Sequence, residues 1–359
     1  MNEADARLER PGRAGRLLDA GQVRAYRGPS LVLFLGISTA GSLAHRIFPG
    51  WSQLFCPGAV MRGADLPADA GPAAFRHLIA AMTANPRVLG AVVTSHKLRL
   101  FRACQDLAGY AEPLVALTQE IAGISTRDRV RAFARDAQSL DIILDGIGGA
   151  GGQDGPGGAG PRPVLCIGAG GAAIALMLAM RLDIAGTLAA QRPVIRAGQA
   201  ARGRLTIVGR DQESLDNVRA VRDRCGIPAD GAGLLLAPDQ DAVARQVRSA
   251  APRTVVINAT GLGKIEPGSP LPDEAPFPPD AVAWDFNYRG PLTFLDQARR
   301  AGVATEDGWD YFVAGWSAAL AAITGQELTA GLLGQAVRSA RPFRPGGVPH
   351  PSGATGGRR

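Results

Sequence analysis

The segment Pro163-Val164-Leu165-Cys166-Ile167 runs directly into Gly168-Ala169-Gly170-Gly171-Ala172-Ala173, and from Ala172 to Leu182 the chain is apolar with almost no charge. This order predicts a short buried strand, a tight turn and a buried helix. In Gly168-x-Gly170-x-x-Ala173 the first glycine permits the turn, the second lets backbone approach a pyrophosphate, and the small third position lets helix and strand pack closely. The N–H groups at the helix start then face the phosphates. In a chain with 47 glycines the pattern alone says little, so the strand before it and the apolar helix after it carry the inference of a dinucleotide site.

Further strands are predicted at Leu205-Thr206-Ile207-Val208, Thr254-Val255-Val256-Ile257 and Ala281-Val282-Ala283-Trp284, each ending in polar or glycine residues where a parallel sheet presents its ligand edge. Upstream, Leu31 to Leu35 and Ala91 to Thr94 read as strands, while 73–84 and 111–122 are compatible with helices. Strands alternating with helices predict an α/β fold, and 359 residues with 46% hydrophobic content predict two domains. Gly146 to Gly152, continuing through Gly and Pro to Pro163, cannot form a core element and reads as a hinge. The polar, Arg-rich residues 1–28 read as a flexible segment, 341–359 as a disordered Pro/Gly/Arg tail, and 185–204 as a surface insertion.

Several function classes are set aside by composition. No apolar run reaches the ~18 residues of a membrane span, and the charged start lacks the order of a secretory signal, so a cytoplasmic protein without membrane attachment is expected. Four scattered cysteines and four histidines offer no metal-ligand spacing, and no metal is expected. The net charge of +7 is spread along the chain with only 5% aromatic residues, which fits an anionic small molecule and argues against nucleic acid. At the end of the second dinucleotide-half strand, Arg210 suits a 2′-phosphate and Asp211 suits free ribose hydroxyls. NADP is favoured, with NAD possible, because Asp211 is also placed to cap the next helix.

Over residues 31 to 330 the chain resembles the shikimate dehydrogenase family, its quinate-type members included. Val164 to Ala173 resembles that family's strand and GAGGAA turn, Val208-Gly209-Arg210 its asparagine-arginine position, and Val256 to Gly263 its INATPLGM stretch. Asp285-Phe286-Asn287-Tyr288 with Pro291 and Thr293 resembles its D-x-x-Y-x-P-x-x-T segment, and Gly308 to Gly325 its helix returning to the first domain. Thr94-Ser95-His96-Lys97 resembles T-x-P-H-K, Ala134-Arg135-Asp136 stands where the family has asparagine-threonine-aspartate, and Gly36 to Ala44 resembles its opening substrate loop.

The resemblance implies an α/β substrate domain over 29–146 with 308–340, a Gly-rich linker at 147–162, and a Rossmann-type, doubly wound parallel-sheet domain at 163–307. It implies cofactor contacts from Gly168, Ala169, Gly170, Gly171, Ala172, Arg210, Asn258, Ala259 and Thr260, and substrate contacts from Ser42, Thr94 and Tyr288. It assigns Lys97 and Asp136 to catalysis in NADP-dependent reduction of a cyclic keto acid, as in aromatic amino acid biosynthesis. The chemistry requires such a pair: hydride movement at a carbinol carbon makes an alkoxide-like oxygen, which needs a proton donor or acceptor beside it. The implied partner is a small molecule, with monomer and homodimer both open.

Four positions depart from the family pattern: Ala44 replaces the second carboxylate-binding serine, no asparagine lies between Asn85 and Asn217, Gly315 stands at the pocket glutamine, and Ser95 replaces the loop proline. Lost donors change the preferred molecule more than the reaction type. Ser38, Thr39, Ser125 and Trp316 are candidates to rebuild the pocket, and Trp51, Trp309 and Tyr311 to wall it. Two alternatives stay open: a dinucleotide-binding sensor with a decayed pocket, and a dehydrogenase of a quinate-like polyol or aminated cyclitol acid.

Overall fold

Each half of the chain builds its own six-stranded sheet. The computed structural model describes residues 17–144, 160–196, 202–264 and 266–345. The first sheet contains β1 (Leu31–Gly36), β2 (Val60–Asp65), β3 (Val88–Val93), β4 (Tyr110–Ala111), β5 (Gly123–Ser125) and β6 (Arg131–Phe133), in the order β2-β1-β3-β5-β6-β4. β1 is parallel to β2 and β3, whereas β5 is antiparallel to both of its neighbours, so this sheet is mixed. Its helices are α1 (Ala20–Ala25), α2 (Ala44–Phe55), α3 (Pro72–Thr83), α4 (Lys97–Cys104), α5 (Pro113–Thr118) and α6 (Asp136–Leu144).

The second sheet contains β7 (Val164–Ile167), β8 (Leu205–Gly209), β9 (Gly233–Leu236), β10 (Val255–Asn258), β11 (Val282–Asp285) and β12 (Ala304–Glu306). All its pairings are parallel, in the order β9-β8-β7-β10-β11-β12, which is the doubly wound dinucleotide-binding arrangement. The strand order reverses between β7 and β10, and ligands of such sheets bind in the crevice beyond the strand ends at that point. α7 (Gly171–Arg181), α8 (Ile184–Ala190), α9 (Gln212–Arg224), α10 (Gln240–Arg248) and α11 (Thr293–Arg300) accompany this sheet. Two last helices, α12 (Trp309–Thr324) and α13 (Ala330–Ala340), follow it.

The apolar character of α7 has a structural cause. Eight of its 11 residues are buried, because it lies between its own sheet and α6 of the other half. A helix covered on all sides is apolar all round. α12 returns to the first sheet, packing on β3 and β5 and against α6 and α2, and α13 closes over α2. The two halves are therefore joined through α6, α7 and α12, and the crevice lies beside that seam.

Three flanking segments are more ordered than their composition suggests. Residues 17–28 are ordered, contrary to the flexible segment expected there: Asp19 and Gln22 form a reciprocal cap on α1, Val23 is fully buried, and the Asn85 amide donates to the carbonyls of Val23 and Tyr26. Within 185–204, α8 and a Leu182–Ile195 bridge precede Arg196, and Arg196 and Arg202 converge on Asp141 of α6 at 2.6 and 3.0 Å. That segment anchors on the other half and is not simply a surface excursion. Arg344 pairs with both carboxylate oxygens of Asp307 at 3.0 Å, so the start of the presumed tail is held as well. Residues 1–16, most of the Gly-rich linker and 346–359 lie outside the described residues.

Candidate active site

The turn after β7 has the geometry its glycines predict. Gly168 adopts φ +113°, a conformation open to glycine and strained for other residues. Gly170, at the N-cap of α7, has nothing within 4 Å of the place where a Cβ would stand, and no side chain caps the helix. Its first N–H groups are left for an anion. Ala169 is buried, whereas Gly170 and Gly171 are exposed and Ala172 is partly so. These features fit a dinucleotide pyrophosphate: a cradle left open by a missing Cβ above a helix start without a cap.

The flanking strand ends divide their work. At the end of β8, Asp211 caps α9 by accepting from the Ser214 N–H at 2.8 Å, and the Arg210 side chain is 88% exposed. The Arg210 guanidinium, held only by a long 3.9 Å ion pair with Asp211, remains exposed to meet a phosphate. At the end of β10, the fully buried Asn258 accepts from the Thr260 N–H and hydroxyl and donates to Asp285. Asn258 therefore shapes the turn that carries Ala259 and Thr260, with its side chain spent on the protein itself.

Lys97 opens α4 on the far side of the crevice. His96, 1% exposed, fixes the approach through Nε2, 2.9 Å from the Leu66 carbonyl, and through an edge contact on Phe75. Lys97 Nζ donates to Asp136 Oδ2 at 2.6 Å, each side chain about a quarter exposed. The two residues before Asp136 are held by the buried Glu112, whose carboxylate accepts from the Ala134 N–H at 2.8 Å and pairs with Arg135 at 2.8 Å. Burial pulls the Lys97 pKa down, but Asp136, and Glu120 beyond it, outweigh this and hold the ammonium above its ordinary value. Burial pushes the Glu120 carboxyl up, against the attraction of Lys97. Glu120 also reaches the dinucleotide half, with Oε1 2.9 Å from where a Cβ on Gly171 would stand.

The pair faces a cavity of about 250 Å³. Val92, Val93, Thr94, Lys97, Ala122, Gly123, Phe133, Arg135 and Asp136 line it from the first half, and Lys264, Phe286 and Tyr288 from the second. Tyr311, Phe312, Gly315, Trp316 and Ala319 of α12 close it. Tyr311 is held well above its ordinary pKa by burial and by Asp136 and Glu120, so its hydroxyl stays protonated. Lys264 forms no carboxylate ion pair among the described residues; burial and the Arg289 charge pull its pKa below the ordinary value against the attraction of Asp285, so an anion arriving at the cavity wall would favour its charged form.

Lys97, Asp136, Thr94 and Tyr288 are thus brought to one cavity, together with Tyr311, Trp316 and Gly315. Ser42 is not on its wall: its hydroxyl accepts from the Ala44 N–H at 3.3 Å at the start of α2. Thr39 is tied to Asp65 through both its N–H and its hydroxyl, Ser38 is exposed, and Ser125 is buried within β5. Trp51 and Trp309 are core residues. Sequence reasoning passed over Glu120, Lys264 and the three phenylalanines. Only Lys264, a cation directly after the Asn258 to Gly263 stretch, left a local signal. The four cysteines are buried and unbridged, and no cluster of metal-ligating side chains occurs among the described residues. No described helix is long and apolar enough to cross a membrane.

No family model and no curated protein matches the sequence. Solved structures do match. Shikimate dehydrogenase from Aquifex aeolicus aligns at 17% identity and TM-score 0.60, covering 86% of this chain and 98% of that one. Quinate dehydrogenase from Corynebacterium glutamicum, a complex with NAD, aligns at 16% and TM-score 0.61, covering 87% and 100%. Shikimate 5-dehydrogenase from Thermus thermophilus, in complex with NADP(H) and shikimate, aligns at 22% and TM-score 0.56, covering 86% and 99%. The chain has the two-domain fold of the shikimate and quinate dehydrogenases, as its sequence motifs imply.

Proposed function

We propose that this chain is an NADP-dependent oxidoreductase that interconverts the carbinol and ketone of a cyclic hydroxy or keto carboxylic acid, with Lys97 and Asp136 as the proton relay. The observation that carries this reading is the 2.6 Å Lys97–Asp136 pair on a cavity lined by both halves, with Glu120, which acts on Lys97, reaching Gly171 at the start of α7. The complexes of fold neighbours with NAD, NADP(H) and shikimate support the cofactor and the reaction class. Residues 29–146 with 308–340 form the substrate half in this proposal, and 163–307 the cofactor half.

When bound, the nicotinamide supplies or accepts the hydride. The α7 N-terminus and Arg210 hold the phosphates, and the cavity wall excludes water from the reacting carbon. As the ketone is reduced, Lys97 passes a proton from Nζ to the oxygen that is becoming an alkoxide, and Asp136 keeps the ammonium aimed and charged until then. In the reverse direction a neutral Lys97 takes the hydroxyl proton. Lys264, on the cavity wall, meets the substrate carboxylate.

The test is NADPH consumption by the purified protein over a panel of cyclic and acyclic keto acids. Turnover of cyclic keto acids that is lost in Lys97→Ala is the expected result. NADPH binding without turnover of any member would instead identify a dinucleotide sensor and overturn the proposal.

A further inference from the structure

The wall of the catalytic cavity is divided: Thr94, Lys97, Arg135, Asp136 and Lys264 bring hydroxyl and charged groups to it, whereas the part formed by Val92, Phe312, Gly315, Trp316 and Ala319 is apolar, and rings surround both. Phe133, Phe286, Tyr288, Tyr311, Phe312 and Trp316 all face it. Packing holds the rings in place: Tyr288 stacks on Phe312 with centroids 4.2 Å apart, Phe286 lies 4.9 Å from Tyr311, and Trp316 meets Phe34 edge-on at 4.8 Å. Gly315 lies between Phe312 and Trp316 on α12, and a Cβ there would meet no atom within 4 Å. A glycine inside a helix lowers its stability, and here the space gained is left unfilled by the protein. The cavity therefore extends over the helix backbone between two aromatic side chains.

Such a wall discriminates by chemistry. Hydroxyls on the side of a ring facing α12 would be buried against carbon with few partners, which is costly, whereas an apolar substituent there gains from every contact. We infer that the substrate is a cyclic keto or hydroxy acid carrying an aryl or branched-alkyl substituent in place of multiple hydroxyls, with the substituent seated over Gly315. This rests on the proposal that the cavity is a dehydrogenase site, and it narrows the molecule that site accepts.

Calorimetric titration of the NADP-loaded protein with three probes tests it: an unsubstituted oxocyclohexanecarboxylate, its phenyl-substituted derivative and its trihydroxylated analogue. The phenyl derivative should bind about tenfold or more tighter than either of the others. Gly315→Leu should abolish that preference and Gly315→Ala, one methyl in the open space, should reduce it, with melting temperature reporting that each variant is folded. If Gly315→Leu does not fold, Gly315→Ala decides by the same comparison. Tightest binding by the trihydroxylated analogue, or a phenyl preference untouched in the folded variants, would overturn the inference. Tight phenyl binding with no NADPH consumption would remove the dehydrogenase reading and leave the assignment of the pocket standing.

Discussion

A Cβ on Gly168 would stand 2.8 Å from both the carbonyl carbon and the oxygen of Ala259, so the turns after β7 and β10 meet backbone to backbone. At φ +113° a side chain at Gly168 is strained as well as crowded. Gly168→Ala should therefore lower the unfolding free energy by about 2 kcal/mol or more. Gly170→Ala, where a Cβ meets open space, should leave stability within about 0.5 kcal/mol and weaken NADP binding instead. Urea unfolding and cofactor titration of both variants separate the two roles, and equal losses of stability would contradict them.

Glu120 is placed to tune the proton relay. Burial lowers the Lys97 pKa, and Asp136 together with Glu120 raises it beyond the ordinary value. Glu120→Gln removes one of the groups that favour the charged form, so the Lys97 pKa falls. Ketone reduction needs that ammonium, and its rate should start to fall at a lower pH than in the parent. The pH profile of kcat/KM in the reducing direction reports this, and an alkaline limb that does not move contradicts the role.

Much of the architecture was legible because its signals are local. β1, β3, β7, β8, β10 and β11 are apolar runs buried on both faces, and the Gly168 turn needs no distant information. The strands that escaped reading are short or atypical: β4 has two residues, β5, β6 and β12 have three each, and β9 is an exposed edge whose Leu236 is 51% exposed. β2 carries Arg62 and Gly63 and lacks a clean alternation. Order at 17–28 depends on Asn85, some sixty residues away in sequence, which no window over the N-terminus contains. In the site, Lys97 and Asp136 were readable from motif order, whereas the aromatic wall gathers rings from β6, α12 and the segment after β11, which only the tertiary fold brings together. Ser42 shows the reverse case, a motif position whose hydroxyl turns to its own helix.

Asp285 gives the second half a pH signature. The residue is fully buried, and burial raises its carboxyl to about 6 from 3.8. Because the folded protein holds this proton more tightly than the unfolded chain, stability falls as pH rises from about 4 to about 6, and the loss is complete above that window. Its size is on the order of 2–3 kcal/mol. Asp285→Asn should flatten this part of the profile, as measured by urea unfolding across the same range. A variant whose stability declines as steeply as the parent's would contradict the assignment.

Arg210 should decide between the two dinucleotides. Asp211 is committed to the Ser214 N–H, which leaves the exposed guanidinium as the group at the end of β8 able to pair with a 2′-phosphate. Arg210→Ala should weaken NADP binding roughly tenfold and leave NAD nearly unchanged. Parallel titrations with both cofactors check this, and an equal loss for the two would rule out phosphate recognition.

The relay itself is tested most directly by Lys97→Ala, compared with the parent in NADPH binding and in turnover of a cyclic keto acid. The ammonium lies in the substrate half, 2.6 Å from Asp136, so its removal should leave the dissociation constant for NADPH within about twofold while kcat falls by roughly a thousandfold or more. Turnover that survives in Lys97→Ala at the parent rate would contradict the account at its centre.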